Sequence, residues 1–345
     1  MKILIAGLGS IGRRHFRNLI VLGETDLVLL RTRKATLSDD ELAGYPVETD
    51  VHEALEKHKL DGVVVANPTS LHLDVALPAA EAGCHILIEK PISHSLEGID
   101  NLRKAAEKSG SKILVGFQFR YHPTLNKARE LIQAGMLGKV LTVHAHWGEY
   151  LPNWHPWEDY RQSYAARADL GGGVISTLTH PLDYLRHILG EIEALWSFNG
   201  HLSSLEMDVE DTAEIGLKFA NGAIGGVHVN YIQRPPVYRL EIVGTNGTLR
   251  WDNTDGRLHF YQMSTPFGSY SDDPPAPVIE TFSPPKGFER NDLFLAQTRH
   301  FLEIMQDKTS PICTLEDGIR AQQLVQAARE SEARGQLINL GQEQK

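Results

Sequence analysis

The feature that most narrows what this chain can fold into is a glycine turn set between an apolar run and a helix. Lys2-Ile3-Leu4-Ile5-Ala6 leads into Gly7-Leu8-Gly9-Ser10-Ile11-Gly12 and then Arg13-Arg14-His15-Phe16-Arg17-Asn18-Leu19. Strand, tight turn and helix in that order turn a weak glycine pattern into a dinucleotide-binding expectation. Gly7 permits the turn, Gly9 lets the backbone approach a pyrophosphate, and Gly12 lets the helix lie close to the strand. The first helical turn, with Ser10 and Ile11, offers unpaired N–H groups and a partial positive charge to the phosphates. Arg13 and Arg14 are expected to add to phosphate binding.

The first 120 residues repeat this alternation. Apolar runs occur at 2–6, 26–30, 62–66, 84–88 and 112–116, separated by helical segments such as 72–82, which Gly83 ends. Continuous rather than alternating apolar runs mean strands covered on both faces, hence a doubly wound parallel sheet. Ligands of such sheets bind at the carboxyl ends of the strands. Gly7, Arg31, Asn67-Pro68 and Glu89-Lys90 all fall on that edge.

After Arg120-Tyr121-His122-Pro123 the pattern changes. A helix is expected at 124–134, then an alternating strand at 140–146 and a polar, aromatic loop at 148–170. A single helix over 172–189 follows, then strands near 192–202, 212–219, 223–232, 238–243 and 247–251. Period-two alternation in Ile224-Gly225-Gly226-Val227-His228-Val229-Asn230-Tyr231 predicts an open, mainly antiparallel sheet with helices on one face. Residues 264–290 read as a long surface loop, and helices at 291–306 and 315–333 close the chain. The domain expectation is 1–120 for the Rossmann fold and 121–345 for an α+β substrate-binding and oligomerisation domain, with the final helix packing back on the first.

At 345 residues two domains are the prior. The net charge of −10 argues against nucleic acid or an anionic membrane as partner. Two cysteines, Cys84 and Cys313, are too few for a disulfide framework or a four-sulfur zinc site. With no basic leader and no apolar run of about 18 residues, a cytoplasmic location is expected.

In order and spacing, six tracts resemble the family of glucose–fructose oxidoreductase, inositol dehydrogenase and MocA-type proteins. They are Ala6 to Gly12, Ala66-Asn67-Pro68-Thr69-Ser70-Leu71-His72, Glu89-Lys90-Pro91, Val115-Gly116-Phe117-Gln118-Phe119-Arg120, Gly171-Gly172-Gly173 with His180 and Asp183, and Gly244-Thr245-Asn246-Gly247-Thr248. The stretches 150–156 and 158–161 resemble a sub-branch associated with bacterial surface-sugar metabolism. The resemblance implies metal-independent, NAD(P)-dependent oxidation or reduction of a carbohydrate-like alcohol. It also implies dimers or tetramers formed through the open sheet, and it places Asn67, Pro68, His72, Glu89, Lys90 and Gln118 around the cofactor.

Lysine at a strand end is ordinarily solvated. Lys90, however, is followed by Pro91, which stiffens the chain, is preceded by Glu89, which can hold the ammonium, and lies on the ligand edge. There it can orient a reacting hydroxyl or lower its pKa. Among sixteen histidines, His180 is the preferred acid/base, expected to share a helical face with Thr177 and Asp183. The family often carries Asp one turn before this histidine, where this chain has Thr177, or Ser176 in the other register. The proton relay is therefore incomplete.

The acidic residue that binds the ribose of NAD about twenty residues after the turn is missing. Arg31-Thr32-Arg33-Lys34 stands there instead. Arginine grips a 2′-phosphate bidentately, so NADP is preferred, with NAD as the alternative. Arg120, Trp154, Tyr160, Asp183 and Arg234 are candidate substrate contacts, with His155, Arg161 and Tyr231 beside them. A surface or interface role is preferred to metal binding for His144, His146 and His228. The leading function is an NAD(P)-dependent sugar or cyclitol dehydrogenase. Its alternatives are a reductase of a non-sugar carbonyl and a catalytically silent dinucleotide sensor.

Overall fold

Every residue of the first strand, Ile3–Ala6 (β1), is buried, as the unbroken apolar run requires of a strand covered on both faces. In a computed structural model that describes residues 1–31, 40–272 and 275–341, β1 is followed by helix α1 (Ser10–Val21), β2 (Leu27–Leu30), β3 (Val47–Glu48), α2 (Val51–Lys57) and β4 (Gly62–Val65). Next come α3 (His72–Glu81), β5 (His85–Ile88), α4 (Ile99–Ser109) and β6 (Ile113–Val115). The six strands form a parallel sheet in the order β3-β2-β1-β4-β5-β6. This is the doubly wound arrangement, whose strand order reverses beside β1. Ile5, Val64, Leu87 and Leu114 are fully buried at its centre, and α1 lays Phe16 and Leu19 on one face. Each such side chain contributes about 1.5–3 kcal/mol by leaving water.

The chain continues with α5 (Pro123–Gln133), β7 (Val140–Tyr150), α6 (Val174–Thr177), α7 (His180–Leu189), β8 (Ile192–Gly200), β9 (Thr212–Phe219), β10 (Ile224–Asn230), β11 (Ile232–Gly244), β12 (Gly247–Asp252), β13 (Arg257–Gln262) and β14 (Val278–Phe282). Helices α8 (Arg290–Met305) and α9 (Leu315–Arg334) and the short β15 (Ile338–Asn339) complete it. Nine strands form the second sheet, in the order β14-β13-β12-β11-β7-β10-β9-β8-β15. It is mixed and mainly antiparallel, with β7 and β10 running parallel. Burial alternates along β9, so one face is covered and the other open. The two compact units comprise Met1–Gln118, Arg161–Gly172 and Glu289–Gln323 for the first, and Phe119–Tyr160, Gly173–Phe288 and Leu324–Lys345 for the second. Among the described residues no helix is long and apolar enough to cross a membrane.

Two local expectations are corrected. The helix expected over 172–189 is two helices, broken at Leu178 and Thr179. Pro181 explains the break: its ring would strike the carbonyl of Thr177 in a continuous helix. Thr177 and His180 are therefore not neighbours on one helical face. The surface loop expected over 264–290 contains β14, whose apolar and β-branched residues pair with β13 as an edge strand. The flanking prolines, serines and aspartates hid it.

Candidate active site

The parallel register aligns Ala6 with Leu30 and Val65, Val65 with Ile88, and Ile88 with Val115. One residue further along each strand stand Gly7, Arg31, Ala66, Glu89 and Gly116, in a row across the carboxyl edge. Main-chain bonds lock the row: Ala66 N–H donates to Ala6 O at 2.8 Å, Glu89 N–H to Val65 O at 2.9 Å, and Gly116 N–H to Ile88 O at 2.7 Å.

The glycine turn is built as its spacing predicts. Gly7 has φ +88°, and a Cβ there would lie 2.5 Å from the Asn67 nitrogen. A Cβ on Gly12 would stand 1.8 Å from the Gly7 carbonyl oxygen, so only glycine lets α1 lie this close to β1. A Cβ on Gly9 would meet nothing, which leaves that side of the turn open. Gly9 caps α1 without a side-chain hydrogen bond, and the first turn holds no acidic residue. N–H groups at Ser10 and Ile11, with no side-chain cap and no acidic residue in the same turn, suit the pyrophosphate of a dinucleotide.

Asn67 is pressed against Gly7, follows β4 with Pro68, and accepts at its carbonyl from His72 Nε2 at 3.0 Å. Burial holds the His72 imidazole below its usual pKa. Arg31 follows β2, is largely buried, and its N–H donates to Glu48 O at 3.0 Å. Thr32 and Arg33 lie outside the described residues. Gln118 is buried at the end of the first stretch of its unit.

Arg13 and Arg14 each have partners within the first unit. Arg13 is 2 % exposed, donates from Nε to Leu8 O at 2.9 Å and pairs with Glu41 at 3.0 Å, which braces the turn from beneath. Arg14 lies 4.7 Å over the Phe294 ring of α8. Burial, then the neighbouring Arg290, lowers its pKa.

One residue missed by sequence reading is His15. Fully buried, it places Nε2 at 2.7 Å from Oε1 of Glu89. The available signal was its position one turn beyond Gly12, facing the sheet.

In the second unit His180 opens α7, 6 % exposed, its ring 5.1 Å from Phe119 and 5.4 Å from Trp147. Thr177 ends α6 and is buried. Arg120 and Asp183 are bonded to each other: Nη2 to Oδ1 at 2.6 Å and Nε to Oδ2 at 3.0 Å, with both side chains almost wholly buried. This is the bidentate geometry of a strong charge-assisted pair, and it fixes α7 beside the chain that precedes α5. Arg234 lies 4.4 Å over the Tyr150 ring. Trp154 meets Tyr231 edge-on at 5.6 Å, and the buried Tyr231 hydroxyl donates to Gly173 O at 3.0 Å. The Tyr160 hydroxyl accepts from the Glu206 N–H at 2.9 Å.

Glu210 and Arg329 complete this bracing. Glu210 O accepts from Val174 N–H, and Arg329 bonds both the Glu210 carboxylate and the Ser176 hydroxyl. Neither had a sequence signal. On the open face of the large sheet, His144, His146, His228, Glu214, Arg239 and Glu241 line a groove of about 560 Å³. Among the described residues no group of three His, Cys, Asp or Glu side chains is placed to hold a metal ion.

Residues 1–117 match the oxidoreductase family, NAD-binding Rossmann fold, of the GFO/IDH/MocA group, and residues 129–340 match the C-terminal alpha/beta domain of the same family. The chain is similar to a myo-inositol 2-dehydrogenase of Thermotoga maritima, 28% identical over 266 residues that cover 73% of this chain and 75% of the relative. Among solved structures it resembles GenD2 from gentamicin A biosynthesis in complex with NAD, at a TM-score of 0.81 and 26% identity, covering 99% of this chain and 97% of that one. It shares a fold, at a TM-score of 0.83 and 20% identity, with levoglucosan dehydrogenase in complex with NADH and levoglucosan, covering 99% and 100% of the two chains.

Proposed function

This chain belongs to the GFO/IDH/MocA oxidoreductase family, and from that premise we propose that it is an NAD(P)-dependent dehydrogenase or reductase of a sugar, sugar derivative or cyclitol. The observation that carries this reading is the row of Gly7, Arg31, Ala66, Glu89 and Gly116 along one sheet edge, with Lys90 next in the chain. The bound nicotinamide supplies the hydride acceptor or donor for the secondary alcohol or ketone carbon. Lys90 polarises the substrate oxygen, and His180 takes or returns its proton as an imidazole. Thr177 is a positioning hydroxyl beside that step. Residues 1–120 carry the dinucleotide and 121–345 the substrate, with Arg120, Trp154, Tyr160, Asp183 and Arg234 as candidate contacts. The same reading gives a homodimer or homotetramer formed through the open face of the large sheet.

Polyhydroxylated substrates fit this family position: the relatives include inositol dehydrogenases and the solved neighbours a sugar complex. Arg31 favours the 2′-phosphate of NADP by charge-assisted bonding. NAD is the alternative, which the dinucleotides named for GenD2 and levoglucosan dehydrogenase support. One observation favours a second reading, a dinucleotide sensor without turnover: Thr177 stands where the resemblance expects an acid.

The deciding experiment assays the full chain with NADH, NADPH and their oxidised forms against sugars, nucleotide sugars and cyclitols. Turnover that falls at least about a hundredfold in Lys90→Ala and in His180→Ala supports the enzyme. Dinucleotide binding with no turnover, unaltered in Lys90→Ala, selects the sensor.

A further inference from the structure

Glu89, the residue before Lys90, is held from the helix that begins at the glycine turn. His15 of α1 is fully buried, and its Nε2 lies 2.7 Å from Glu89 Oε1. Its Nδ1 is buried with no hydrogen-bond partner among the described residues. The Nε2–H tautomer therefore satisfies the pair, donating to the carboxylate and leaving only a lone pair on the far side. A Cβ on Gly116, the residue after β6, would come within 2.9 Å of Glu89 Oε2, so the lack of a side chain there leaves the carboxylate its room. Phe294 of α8 meets the imidazole edge-on at 6.2 Å. The Glu89 main chain is pinned as well, by its N–H bond to Val65 O.

We propose that His15 is a positioning residue: through Glu89 it makes the placement of Lys90 depend on the helix that takes the dinucleotide pyrophosphate. The inference rests on the reading that the glycine turn binds a dinucleotide with Lys90 at its nicotinamide end. Buried hydrogen bonds to a carboxylate are strong and directional. A shift of α1 on dinucleotide binding therefore moves Glu89, and the next residue with it. A purely structural imidazole would support α1 without this effect on the lysine.

The test follows Lys90 itself, not turnover. The full-length chain is labelled with an amine-specific reagent with and without saturating NADH, and the rate at Lys90 is read by peptide mass spectrometry. NADH affinity is measured separately by fluorescence. In the unsubstituted protein NADH is expected to slow labelling of Lys90 by about tenfold, the worth of one charge-assisted hydrogen bond. His15→Ala is expected to bind NADH within about threefold of normal yet lose most of that protection, and His15→Gln, which restores an N–H donor, to recover it. Should His15→Ala not fold, His15→Asn, polar but too short to reach Glu89, is expected to show the same loss. Full protection in the Ala or Asn variant overturns the proposal. So does joint loss of NADH binding and protection that His15→Gln leaves unrepaired, and so does an unsubstituted protein whose Lys90 is indifferent to bound NADH. Protection that follows this pattern in a protein turning over no sugar, nucleotide sugar or cyclitol removes the proposed sugar or cyclitol dehydrogenase and leaves the inference standing.

Discussion

Gly12 cannot become alanine without moving α1, because the added Cβ would stand 1.8 Å from the Gly7 carbonyl oxygen. That contact is with backbone, which no side-chain rotation relieves. Overpacking of this kind costs about 1–3 kcal/mol, and here the same displacement takes the helix N–H groups away from the phosphates. Gly12→Ala is therefore expected to lower the melting temperature and to weaken dinucleotide affinity by at least about tenfold, read by NADH fluorescence titration. Arg31 sets a second expectation at this scale. If its guanidinium grips a 2′-phosphate, Arg31→Asp reverses the ratio of NADP to NAD affinities by about a hundredfold, since it removes a charge-assisted bond and adds a repulsion. An unchanged ratio, by calorimetry, assigns the 2′ position to other residues.

Between β7 and β8 the two short helices α6 and α7 are held from outside themselves. Tyr231, fully buried, donates to Gly173 O just before α6, and Glu210 with Arg329 grips its first turn. Four residues of helix have almost no stability of their own, so these bonds keep Thr177 and His180 in place. Tyr231→Phe is expected to cost about 1–2 kcal/mol, a fall of about 2–8 °C in the melting temperature of a unit this size. A differential scan of the two proteins checks it. Much at this scale was legible in the sequence. Unbroken apolar runs announced β1, β4 and β5, and period-two alternation announced β10, because burial on one face or two is written in the period. Less legible was anything decided by distant partners. Glu210 and Arg329 lie far apart in the chain, the Arg120–Asp183 pair joins two residues each read as facing a ligand, and His15 read as one helix residue among many. The break before α7 was written locally, in Pro181, which a single helix over 172–189 does not accommodate. The strand ends that share the sheet's carboxyl edge could thus be located from the sequence, but not the bonds that hold them.

Across the whole molecule, buried histidines tie stability to pH. Burial lowers the pKa of His72, His85 and His300 in the first unit and of His122 and His146 in the second. His122 is pushed down to about 4 by burial, with the Asn253 side chain opposing. Its ring stacks on Phe119 and meets Trp251 edge-on at 5.3 Å, so no water reaches in to solvate a charge. When the chain unfolds, this imidazole regains a pKa of about 6.5. Between those values the unfolded state binds more protons, so stability rises with pH across the window. The contribution is fully present above about pH 6.5 and is lost as pH falls toward 4; by pH 5 about 2 kcal/mol has gone. Paired carboxylates such as Glu41, Glu48 and Asp211, whose pKa values are lowered, add a second loss only below the ordinary carboxylate range. Acid should therefore weaken the protein in two stages, the histidine stage first. His122→Leu removes one term of that stage at nearly constant volume. The variant starts less stable at pH 7, because the bonds to Asn253 and Thr124 go, but it should lose about 2 kcal/mol less than the unsubstituted chain between pH 7 and pH 5. Urea unfolding at the two pH values, followed by the fluorescence of the tryptophans near His122, measures that difference. Equal losses in the two proteins would mean that His122 does not titrate across this window.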